Sequence, residues 1–150
     1  MKWLLVLIFS FLAVAAQADG RIQIEDFQKN AGGCSCTLMM PPFVNDKVNS
    51  EAIFWSELSH DPALMKINGQ KQNFKLIKDE TKGQNIGIVW FENPNYSIFV
   101  NFRVAPTTCP KEKIDIADGC EYIDVYGDIE VTRKTDGIKE VVLGVGHCGC

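Results

Sequence analysis

Cysteine is the residue in this chain best placed to do chemistry, and its six copies among 150 residues fall into three groups. Cys34-Ser35-Cys36 and Cys148-Gly149-Cys150 are tight pairs, whereas Cys109 and Cys120 bracket a charged, turn-rich stretch. Residues i and i+2 of a strand share a face, so each Cys-x-Cys presents two sulfurs side by side. If the two strands that carry them meet antiparallel, Cys34 lies opposite Cys150 and Cys36 opposite Cys148, at positions where two disulfides can form. The parallel variant joins Cys34 to Cys148 and Cys36 to Cys150. Cys109–Cys120 reads as a clip across the base of a loop, contributing about 3 kcal/mol in the chain-entropy view.

Reduced, the same residues suit two other chemistries. Cys34, Cys36, His147, Cys148 and Cys150 form a soft ligand set of the kind that takes Cu(I) or Zn²⁺. Against it, the Cys-x-Cys spacing is not that of zinc knuckles, and strand parity turns His147 away from Cys148. Cys148-Gly149-Cys150 is also a candidate for thiol–disulfide exchange, with His147 lowering a thiol pKa. No thioredoxin-like βαβ pattern accompanies it. Hydrolysis has less support, because Ser59-His60-Asp61 are adjacent and a triad draws its members from distant segments. Gly144-Val145-Gly146 does not open a helix, so it is no phosphate loop. No catalytic residue and no cofactor are therefore assigned.

The compartment follows from the N-terminus. Lys2, an apolar run over residues 4–16 and Ala16-Gln17-Ala18 make a secretory signal peptide over residues 1–18, leaving a single β domain over 19–150. The run is too short for a spanning helix, and no second stretch is longer, so no membrane span is expected after cleavage. The expected address is the periplasm or the extracellular space, where an even cysteine count reads first as a disulfide framework. The formal charge of −4 speaks against nucleic acid as a partner. Mean hydropathy near zero (−0.03) speaks against disorder.

The elements that must position the cysteines show period two. Ile98, Val100, Phe102 and Val104 alternate with Phe99, Asn101 and Arg103. Ile123, Val125, Ile129 and Val131 share a face opposite Asp124, Tyr126, Asp128 and Glu130, with Gly127 read as a bulge. Val141, Leu143 and Val145 alternate with Val142, Gly144 and Gly146. Asn68-Gly69 and Asp136-Gly137 predict two-residue type I′ hairpins. Six strands result, and residues 36–40 and 52–58 add two. The expected fold is all-β, an antiparallel meander of about 6–8 strands closed as a small barrel or curled sheet. Residues 22–30 fit either a strand or a short helix.

Ala63-Leu64-Met65-Lys66-Ile67-Asn68-Gly69, an apolar strand feeding a tight hairpin, resembles a segment of small periplasmic bacterial β-barrel proteins such as the membrane-bound inhibitors of c-type lysozyme. The resemblance implies a barrel scaffold and export. It carries over no inhibitory residues, because the serine-glycine and tyrosine-containing segments of those inhibitors have no counterpart here, nor does their lipid-attachment cysteine. Among the large apolar residues, Met39, Met40 and Phe43 form an expected exposed lip, and Trp90 is expected to reach the outer surface beside Phe91. The expectation is an exported, non-enzymatic binding or inhibitor-like module, its partner an unknown protein or small ligand. Soft-metal binding and thiol–disulfide exchange are the alternatives.

Overall fold

A computed structural model describes residues 20–28, 34–41, 51–58, 61–81, 86–105 and 122–149. The elements are β1 (Ile24–Glu25), β2 (Ser35–Met39), β3 (Phe54–Glu57), β4 (Ala63–Ile67), β5 (Gln70–Asp79), β6 (Ile86–Glu92), β7 (Tyr96–Val104), β8 (Tyr122–Arg133) and β9 (Lys139–Gly149). Each of β2 to β8 pairs antiparallel with the next strand in sequence, and β9 returns to pair with β2. The result is a closed eight-stranded up-and-down barrel, with β1 added against β4. The predicted all-β meander is the observed fold, and residues 22–28 are extended: β1 is followed by a bridge between Phe27 and Ala52.

Alternation sends one parity of every strand inward. Cys36 and Leu38 of β2, Phe54 and Ser56 of β3, Met65 and Ile67 of β4, Phe91 of β6, Val100 of β7 and Ile129 of β8 are all buried in one core. Each large apolar side chain so buried stabilises the fold by about 1.5–3 kcal/mol. A smaller cluster of Phe27, Ala52, Trp55 and Leu64 lies apart, where the segment after β1 packs against β3 and β4.

Two turn expectations meet different fates. Asn68 (φ 49°) and Gly69 (φ 79°) form the two-residue β4–β5 turn, with Ile67 and Gln70 paired on either side. Asp136-Gly137 instead ends a four-residue loop between Arg133 and Ile138, in which only Gly137 takes positive φ (73°). The Arg133 guanidinium holds the Asp136 carboxylate at 2.7 Å across this loop. Gly127 is likewise not a bulge: Phe102, Gly127 and Gly144 stand in continuous register across β7, β8 and β9. A Cβ there would lie 2.0 Å from the Asn101 carbonyl oxygen, so glycine permits close strand approach. The register shift lies in β5, between Leu76 and Lys78.

Candidate functional site

The β2–β9 ladder sets Cys36 opposite Cys148, and the two form a disulfide with Cα atoms 4.0 Å apart across 112 residues of sequence. Ser35 pairs with Gly149 in the same ladder, and Cys34, one residue before Ser35, is also disulfide-bonded. Cys109, Cys120 and Cys150 lie outside the described residues, as do residues 1–18, read from the sequence as a signal peptide, and Phe43. Among the described residues no cysteine is free.

This oxidised seam separates the sequence-predicted metal ligands. Cys36 and Cys148 are joined to each other on the inner face, whereas His147 stands on the outer face between Thr37 and Asp124. Strand parity is the physical reason, since neighbouring residues of a strand point to opposite sides. Cys148 is bonded across the ladder rather than within Cys148-Gly149-Cys150, so the strained ring expected for thiol–disulfide exchange does not form.

Inside the barrel, near the start of β2 and the end of β9, Cys36, Cys148, Ser56, Phe54, Phe102 and Val125 line part of a cavity of about 10 Å³. That is close to the least space that holds one water. The Ser56 hydroxyl is buried there without a hydrogen-bond partner. Among the described residues the interior is a packed core around this small cavity.

The outer wall is different. Gly144 and Gly146 occupy the inward positions of β9, where a Cβ on Gly144 would come within 3.1 Å of Leu38 and one on Gly146 within 1.8 Å of the Thr37 carbonyl oxygen. With glycine inside, the alternation of β9 places Val141, Leu143 and Val145 outside. Val141 (54% exposed), Leu143 (48%) and the neighbouring Tyr126 of β8 (41%) are among the most exposed large apolar side chains described. Across the ladders run three rows: Phe99–Glu130–Val141, Asn101–Asp128–Leu143 and Arg103–Tyr126–Val145.

Charge on this wall is unevenly spent. Lys139 Nζ holds Glu130 at 2.7 Å, but Asp124 and Asp128 are exposed and form no ion pair among the described residues. Arg103, opposite Tyr126, is the cation contributed by β7. On β6 the half-buried Trp90 ring lies 5.2 Å from Phe99, and Lys78 Nζ sits 5.1 Å from the Trp90 centroid. The wall therefore already seats one ammonium on an aromatic face.

Of the residues expected to meet a partner, Trp90 does lie on this outer wall, and Met40 is 44% exposed just past β2. Met39 is buried, although its position opposite Val145 is an outward one, so the expected apolar lip is reduced at that residue. Tyr126, Val141 and Leu143 were not singled out as contact residues. Their signal was the alternation of aliphatic residues with glycine in β9, which becomes interpretable once the glycines are known to face inward. Comparison with known protein families, with curated proteins and with solved structures finds no match to this chain.

Proposed function

We propose that this chain is an exported, non-enzymatic binding module that engages a partner protein through the outer wall of β6 to β9. The observation that carries the reading is the concentration of exposed Tyr126, Val141 and Leu143 on two adjacent strands of a disulfide-bridged barrel. Exposed apolar side chains that adjoin one another, rimmed by polar ones, are a usual mark of protein contact. At Tyr126 and Asp128, β8 is paired with β7 on one side and β9 on the other, so recognition there falls to side chains and not to strand addition. The rigid ladder holds these side chains in fixed positions before binding, which lowers the ordering cost of association. Export is supported by the N-terminal pattern and by the bridged cysteines, a chemistry suited to an oxidising compartment.

Site-specific photo-cross-linking in the exported fraction of producing cells tests this. A photoreactive residue at Leu143 is expected to trap one discrete protein, while the same residue at Asn73, on β5, traps none. Equal trapping from both positions, or trapping from Asn73 alone, overturns the assignment of the wall. N-terminal sequencing of the exported protein is expected to begin at Asp19, and retention of residues 1–18 would overturn the cleavage.

A further inference from the structure

We infer that the partner surface is basic, and that it presents cationic side chains beside an apolar anchor to the β8–β9 wall. The inference rests on the binding reading above and adds its chemistry. Tyr126, Asp128 and Glu130 follow one another along the outer face of β8, and their β9 neighbours are Val145, Leu143 and Val141. Successive outward residues of a strand stand about 7 Å apart, so an apolar stripe and a carboxylate column run side by side. Glu130 is already neutralised by Lys139. Asp128, flanked by Asn101 and Leu143, and Asp124, flanked by His147, have no ion-pair partner among the described residues.

Each neighbouring group bears on the choice of partner. An apolar side chain seated between Leu143 and Val145 leaves its own flanking residues over Asp128 and Tyr126. A lysine or arginine there gains a carboxylate and an aromatic face together, the pairing that Lys78 already makes with Trp90 on the same wall. Arg103 is the one described cation facing this part of β8, and it stands opposite Tyr126, not opposite Asp124 or Asp128. A phosphate-bearing partner, whether nucleic acid or anionic lipid, would meet the two carboxylates and be repelled. A second copy of this chain docked through the same face about a two-fold axis would set each acidic column against either its counterpart or the apolar stripe, and both leave carboxylates desolvated without a cation.

The test uses the intact, oxidised protein and three synthetic peptides of one length: alternating leucine and lysine, leucine and glutamate, and leucine and serine. Binding is followed by amide chemical shifts. The leucine–lysine peptide is expected to perturb residues 124–130 and 139–147, and the leucine–glutamate peptide to perturb none. Asp124→Asn with Asp128→Asn should weaken that binding by about fivefold or more, since two charge contacts are lost. Glu51→Gln with Glu57→Gln, which changes net charge equally at exposed sites on and before β3, should change it by less than about twofold. Leu143→Ser should weaken it as well, and undisturbed amide dispersion shows that each variant is folded. Equal weakening by both charge pairs, or no leucine–lysine binding at this wall, overturns the inference. Equal binding of the leucine–serine peptide at the same residues, indifferent to Asp124 and Asp128, also overturns it while leaving the wall a contact surface. Loss of the cross-link at Leu143, by contrast, strikes the binding reading itself.

Discussion

Cys36 stands directly opposite Cys148 across the β2–β9 ladder, so their bridge lies at the seam where the first and last strands of the barrel meet. The chain between them supplies all the other strands of the barrel. Joining residues 112 apart restricts the unfolded chain most when no other bridge spans the same segment. Cys34, one residue outside the ladder, is bonded too, and the sequence expectation pairs it with Cys150, which lies outside the described residues.

Removing this rung alone should therefore cost little. With Cys34 joined to Cys150 as the sequence predicts, Cys36→Ala/Cys148→Ala still has a bridge closing almost the same loop, leaving an expected loss of about 1–2 kcal/mol from the buried sulfur contacts. Full reduction of the wild-type protein should cost more, about 4 kcal/mol or above, because loop closure is then lost. Urea melts of the two forms make the comparison, and non-reduced peptide mapping of the variant should find the 31–40 region still joined to the C-terminal peptide. A larger loss in the alanine variant than on reduction would contradict the two-rung seam.

What could be read from the chain was whatever depends on period and parity. Ile98, Val100 and Phe102 occupy one face of β7, and the antiparallel meeting of the two cysteine strands placed Cys36 against Cys148. What could not be read depends on how the strands approach one another. Gly127 looked like an interruption, yet it is a regular inward position whose missing side chain admits Asn101 and Phe102. The Asp136-Gly137 dipeptide looked like a two-residue turn, but the Arg133–Asp136 ion pair belongs to a longer loop. The contact wall was hidden for the same reason. An alternation of Val141, Leu143 and Val145 with glycines does not say which parity faces in until Leu38 and Ile129 are found filling the space beside Gly144.

Gly87 and Phe102 should behave as one packing unit. They are register partners on β6 and β7, and a Cβ on Gly87 would fall 2.0 Å from the Phe102 ring. Gly87→Ala should destabilise by about 1–3 kcal/mol, the usual cost of forcing volume into a packed core. Phe102→Leu removes the obstructing ring, so Gly87→Ala introduced into that background should cost less than it does alone. A double-mutant cycle in thermal or urea unfolding measures the difference, and simple additivity would show that the ring is not what Gly87 accommodates.

Asp136 supplies a pH signature for the β8–β9 loop. The Arg133 guanidinium, followed by the Ile138 backbone N–H, hydrogen-bonds its carboxylate and holds it below the ordinary aspartate range. A carboxylate whose pKa is depressed by folding favours the folded state above its unfolded pKa, and that contribution disappears as pH falls through the folded value. Both groups are at the surface, so the effect is expected to be clearer in the titration of Asp136 itself than in overall stability. Side-chain carbon shifts should show Asp136 titrating below the ordinary aspartate range, and Arg133→Met should move it back up. An unchanged Asp136 titration in that variant would remove Arg133 as the cause.

Ser56 offers the sharpest reading of the core. Its register partners are Cys36 and Ala63, its side chain faces the small cavity beside Phe54 and Phe102, and its hydroxyl has no hydrogen-bond partner. A buried hydroxyl left unpaired costs about 1–3 kcal/mol relative to one in water. Ser56→Ala removes that cost and gives up only the dispersion contacts of one oxygen, each worth about 0.1–0.2 kcal/mol. The expected result is a protein as stable as the wild type or more stable by about 1 kcal/mol. Ser56→Val should do worse than Ser56→Ala, because a cavity of about 10 Å³ does not take a branched side chain without strain. Calorimetric melting of both variants under oxidising conditions decides it. A loss greater than about 1 kcal/mol in Ser56→Ala would mean that the hydroxyl is satisfied by an internal water, and the cavity would then be a hydration site of the core.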